Sequence, residues 1–77
     1  MLIGRLVLEL PITGKLVIWG HTKNTIANEI HRVYVSEDPH HDPIPEEVRN
    51  QLVDSIWGDE DGINISYVTE QFIHIDV

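Results

Sequence analysis

The side chains that could do chemistry in this sequence are mainly its five histidines and thirteen carboxylates. His40-His41-Asp42 sets three metal-ligand types in succession. Consecutive side chains diverge, so this run does not make a three-ligand site by itself. His74 and Asp76 stand two apart and would share one face of a strand, with His21 or His31 as a third donor from a neighbouring strand. Surface histidines are the simpler reading, and no metal is assigned. Asp59-Glu60-Asp61-Gly62 with Asn64 has the composition of a calcium loop. It lacks the D-x-[DN]-x-[DN]-G spacing and the terminal glutamate, so calcium is not assigned either.

Catalytic patterns are missing. There is no G-x-S-x-G, P-loop, Rossmann glycine pattern or H-E-x-x-H. The chain has no cysteine, which excludes a thiol nucleophile, a disulfide and a Cys–His zinc site, and points to a reducing compartment. Ser36, Ser55 and Ser66 have no motif around them. Glu46/Glu47 and Asp59/Asp61 read as exposed acids rather than an acid–base couple. A 77-residue monomer also has little volume for a water-excluding pocket. The expectation is a non-enzyme without cofactors.

Several elements must position these groups. Residues 2–10 alternate, with Leu2, Leu6, Leu8 and Leu10 on one face and Arg5 and Glu9 on the other, which predicts a half-buried strand. Pro11-Ile12-Thr13-Gly14 has turn chemistry, and 15–21 reads as the second strand of a hairpin. Residues 20–24 look like a further turn. In 25–35, Ile26, Ile30, Val33 and Tyr34 fit a helical period, but Ile26, Ile30 and Tyr34 also share a strand face. The Val33-Tyr34-Val35 ending favours a third strand of a meander. Pro39, Pro43 and Pro45 mark a semi-rigid loop.

The helix expected next runs over about 45–57. Pro45 opens it, Glu46 and Glu47 suit its positive end, Val48, Leu52, Ile56 and Val53 form its apolar stripe, and Gly58 caps it. That stripe should meet the face carrying Leu6, Leu8 and Ile18. Residues 63–77 then alternate without a break. A single strand of that length would span ~50 Å at ~3.3 Å per residue, against a diameter near ~30 Å for a domain of this size. Either the chain turns near 69–71, or its far half pairs with a second subunit. The fold class expected is α+β: one domain, with an antiparallel sheet of four to five strands and one helix packed on it.

Net charge is −8 and unevenly placed. Residues 36–61 hold nine acids and one base, Arg49, while the acids and bases of the remainder cancel. Direct contact with nucleic acid or anionic membranes is disfavoured, because both need clustered Lys and Arg. No segment has the features of a signal peptide or a bilayer span, so a cytoplasmic, soluble chain is expected. Asp59, Glu60 and Asp61 would follow the C-terminus of the helix, where the dipole opposes them. Such a locally broken rule suggests function, and a basic partner would compensate it. The reading is an acidic, non-catalytic binding protein that inhibits or regulates a basic, nucleic-acid-handling protein, as antitoxins, immunity proteins and anti-defence proteins do. The contact residues expected are Glu37, Asp38, Glu46, Glu47, Asp59, Glu60 and Asp61, with Trp57 as apolar anchor. The alternative is a homo-oligomeric scaffold or small-ligand module, with a homodimer built through the C-terminal strand.

Overall fold

The structure, a computed structural model, describes residues 1–12, 14–23, 28–60 and 62–69. Two helices and four strands follow in the order α1 (Ile3–Glu9), β1 (Lys15–Lys23), β2 (Asn28–Ser36), α2 (Glu46–Arg49), β3 (Ser55–Gly58) and β4 (Gly62–Thr69). The class is α+β. The strands form one mixed sheet in the order β2-β1-β4-β3. β1 and β2 make an antiparallel hairpin, and β3 pairs antiparallel with β4. The central pair, β1 and β4, is parallel. An all-antiparallel sheet therefore gives way to a mixed one, because the chain returns to β1 through α2 and β3 rather than by a direct turn.

The first segment is a helix, not a strand. Ile3, Leu6, Val7 and Leu10 carry the i, i+3, i+4, i+7 spacing of a helical stripe alongside the alternating leucines. The structure buries that stripe: Ile3 is fully buried, Leu6, Val7 and Leu10 pack against the core, and Leu8 is 88% exposed. Arg5 and Glu9 form an i,i+4 ion pair at 3.3 Å on the outer face. Leucine, arginine and glutamate all favour helix, so propensity and tertiary packing agree.

The helix expected over 45–57 is only one turn. It stops at Arg49, Asn50 serves as its C-cap, and the chain is then drawn into backbone pairing. Leu52 bridges Leu2, the Val53 amide donates to the Met1 carbonyl, and 55–58 become β3. The strand preference of Ile56 and Trp57 explains the choice, since β4 needs a partner on that side. Of the expected stripe only Val48 is buried; Leu52 and Ile56 are exposed. Gly58 ends a strand instead of capping a helix. Residues 20–23, read as a turn, continue β1. The strand expected within 25–35 is present as β2. β4 is described as far as Thr69, and the bend or subunit contact expected near and beyond it lies outside the described residues.

The core fills one face of the sheet. Ile3, Ile12, Leu16, Ile18, Ile44, Val48, Ile65 and Tyr67 form one buried cluster between the sheet and the two helices. Ile3, Leu16, Ile18 and Ile65 are fully buried, and each contributes ~1.5–3 kcal/mol by leaving water. α1 and α2 meet at Gly4, where an added Cβ would lie 3.1 Å from the Arg49 Cβ. Among the described residues, no helix lies on the other sheet face.

Candidate functional site: an acidic sheet end beside an open aromatic face

Strand direction decides where the acids collect. Lys15 pairs with Gly62, Leu16 with Ser36, and Gly58 with Ile63. The starts of β1 and β4 and the finishes of β2 and β3 therefore share one end of the sheet. The loop leaving β2 brings Glu37, Asp38 and Asp42 there, and the turn leaving β3 brings Asp59 and Glu60. The two groups stand at opposite corners, about 14 Å apart across three strand spacings, with Lys15 between them.

Both corners are built by local hydrogen bonds. Ser36, buried at the end of β2, donates its hydroxyl to Asp42 Oδ2 and accepts the Asp38 amide at 2.9 Å. Tyr34 Oη donates to the Asp42 carbonyl at 2.6 Å. The His41 ring lies 2.8 Å from Asp38 Oδ2. That hydrogen bond and the Asp38 charge raise the His41 pKa above its ordinary value. In the β3–β4 turn, Asp59 Oδ1 accepts the Gly62 amide at 3.0 Å and Oδ2 accepts the Asn64 side-chain amide at 3.0 Å. The expected clash between Asp59 and a helix dipole does not arise. Residues 55–58 are a strand, and strands have only small net dipoles. Asp59 has a structural task as a turn acceptor, and with Asn64 it accounts for the calcium-like composition.

The open face lies beside this end. Trp57 pairs with Asn64, and Trp19 with Ser66. Trp19 and Trp57 border one shallow cleft of about 370 Å³ that also takes in His21, Ile30 and Asp54. Its floor is small and polar, with Ser55 and Ser66 hydroxyls 2.6 Å apart. Trp57 is 44% exposed, and Ile30 and Val35 on β2 are exposed as well.

The residues expected to form the contact surface therefore divide. Glu37 and Asp38 at one corner and Asp59 and Glu60 at the other share one sheet end, with Trp57 on β3 next to the second pair. Asp61 lies outside the described residues. Glu46 and Glu47 stand in the helical layer on the other side. Glu47 borders a separate cleft with Val48, Gln51 and Tyr67, where burial and the Glu47 charge raise the Tyr67 pKa. Trp19 and Ile30 join the open face though neither was among the expected contact residues. The alternation of 15–21 does put Trp19 opposite the core residues, but nothing local marks Ile30 as exposed.

Among the described residues no group of three or more His, Asp or Glu side chains converges on a metal position. The His40 ring faces the Ile12 carbonyl at 3.2 Å and His41 faces Asp38, so the two point to different partners. His74 and Asp76 lie outside the described residues. No helix among the described residues is long and apolar enough to cross a membrane. Compared with protein families, curated proteins and solved structures, the chain matches none, so its own geometry carries the functional reading.

Proposed function

We propose that this chain is an acidic, non-catalytic binding protein that regulates or inhibits a basic partner protein, of the kind that handles nucleic acid. One observation supports this most: Glu37, Asp38 and Asp42 at one corner and Asp59 and Glu60 at the other, distant in sequence, share one sheet end, the second corner beside the exposed Trp57. Trp57 supplies an apolar anchor and the carboxylates a charged rim. Negative potential on that end would speed encounter with a cationic surface and orient it. A partner that both binds polyanions and exposes apolar side chains fits this combination. Glu46 and Glu47 then add to the long-range field rather than to the contact.

The test is affinity capture at rising salt with a charge-neutralised control. Basic proteins should be retained at about 0.05 M salt and released by about 0.5 M, where the Debye length is several-fold shorter. The triple variant Glu37→Gln, Asp38→Asn, Glu60→Gln should retain far less. Asp59 is left intact because the turn uses it. Retention that ignores salt and survives the triple substitution would end this reading.

A further inference from the structure

The two edges of the sheet differ. β2 is long, and the exposed Glu29, His31 and Arg32 stand along it on its two faces. Its pairing with β1 also shifts register at Ile18/Trp19. Charges and bulges of this kind protect an edge from added strands. Among the described residues, Ser55–Gly58 of β3 has neither device. Ser55–Gly58 contains no charge, keeps register with β4 throughout, and is exposed along its whole length. Two large apolar side chains stand on it, Ile56 at 45% and Trp57 at 44% exposure, one on each face.

The free backbone groups can be identified. Asp59 and Gly62 exchange both amide hydrogen bonds, at 2.9 and 3.3 Å. In an antiparallel ladder bonded and non-bonded pairs alternate. Trp57/Asn64 is therefore the next bonded pair; at the start of the strand the Asp54 amide donates to the Ser66 carbonyl at 2.7 Å, which breaks the regular alternation there. The N–H and C=O groups of Ile56 and Gly58 point outward, away from β4. Among the described residues, acids stand beyond the two ends of this short edge: Asp54 before it, Asp59 and Glu60 after it, all exposed. Asp54 and Asp59, where the turn that carries Glu60 begins, are five residues apart, ~17 Å along an extended chain.

We propose that β3 is an acceptor edge, onto which an extended segment of the partner adds as a further strand. The segment is apolar at alternate positions and carries a Lys or Arg about five residues apart at its two ends. Its backbone pairs with Ile56 and Gly58. Its alternate side chains cover Trp57 on the open face and Ile56 on the other. Its basic ends meet Asp54 and Glu60. Main-chain bonds supply affinity in this mode, and the flanking side chains supply selection. The proposal deepens the reading of a basic partner and rests on it.

The probe is a short synthetic peptide of alternating threonine and valine with a lysine at each end. A second version is N-methylated on the residues that would face β3. Binding of the first should slow amide hydrogen exchange at Ile56 and Gly58 by about tenfold or more, with smaller effects along β2. N-methylation should weaken binding by about tenfold or more, since it removes the donors. Ile56→Pro should do the same while leaving the β4 ladder intact, because proline is tolerated where an edge N–H faces outward. The N-methylated peptide keeps the test decisive if that variant does not fold. Absence of binding, equal affinity for the N-methylated peptide, or binding without protection at Ile56 and Gly58 overturns strand addition. If such binding is still salt-sensitive, the basic-partner reading survives alone. If edge protection appears but Asp54→Asn with Glu60→Gln and added salt change nothing, strand addition to β3 stands and the basic-partner reading falls.

Discussion

The indole Nε1 of Trp19 donates a 3.0 Å hydrogen bond to Asn64 Oδ1 across the parallel pair at the centre of the sheet. Asn64 passes the link on, donating its own amide to Asp59 in the β3–β4 turn. A tryptophan of β1 is thus tied to the acidic corner through one buried asparagine. Asn64→Ala should destabilise the protein by about 1–3 kcal/mol, since it removes the acceptor of the indole N–H and one of the donors to the Asp59 carboxylate. Urea unfolding followed by tryptophan fluorescence measures it. A cost below about 0.5 kcal/mol would mean that this chain of bonds holds nothing.

The helical reading of residues 3–9 makes a pair of opposite expectations. Ile3→Ala should cost about 2–5 kcal/mol, as for a fully buried side chain. Leu8→Ala should stay within about 0.5 kcal/mol, as for an exposed one. A strand with the leucines inward would reverse this order. Total stability for a chain of this size is only ~4–12 kcal/mol, so the Ile3 variant should also melt visibly earlier.

Two glycines flank the acidic turn and differ in what they tolerate. Gly62 has φ 154°, and a Cβ there would lie 1.9 Å from the Lys15 carbonyl oxygen. Gly62→Ala must push β1 and β4 apart at their start and should cost at least ~1–3 kcal/mol. Gly58 would meet nothing closer than 3.7 Å. Gly58→Ala should be neutral or slightly stabilising, because glycine costs ~0.5–1 kcal/mol in a strand. Thermal melts of the two variants side by side decide this.

His41 links stability to pH. Its hydrogen bond to Asp38, then the Asp38 charge, outweigh desolvation and raise its pKa above the ordinary 6.5, with Asp42 adding to the effect. A group raised in the folded state stabilises fully below the unfolded value and loses that contribution as pH rises through the folded one. The parent should therefore exceed His41→Gln in stability at about pH 5 and match it at about pH 9. Unfolding curves across that range test the sign. A difference that grows with pH would contradict it.

Much of the local order could be read from residue types alone. The alternation of residues 15–21, the strand ending at Val33-Tyr34-Val35, the proline loop and the concentration of acids all follow from short-range preferences. So did the idea of a tryptophan beside carboxylates, since Trp57 precedes Asp59 by two residues. Residues 2–10 were ambiguous because leucines at even positions imitate a strand while Ile3, Leu6, Val7 and Leu10 make a helical stripe. Only a surface to pack on chooses between those periods.

Partnering across the sheet decided the rest. Residues 50–57 carry a helical stripe and a strand-forming Ile-Trp pair at once, and the open side of β4 drew them into pairing. Strand direction then carried Glu37 and Asp38 to the same end as Asp59 and Glu60, while α2 held Glu46 and Glu47 apart. Charge along a chain states how much negative potential exists. Where that potential points depends on backbone hydrogen bonds between segments tens of residues apart, which no local preference encodes.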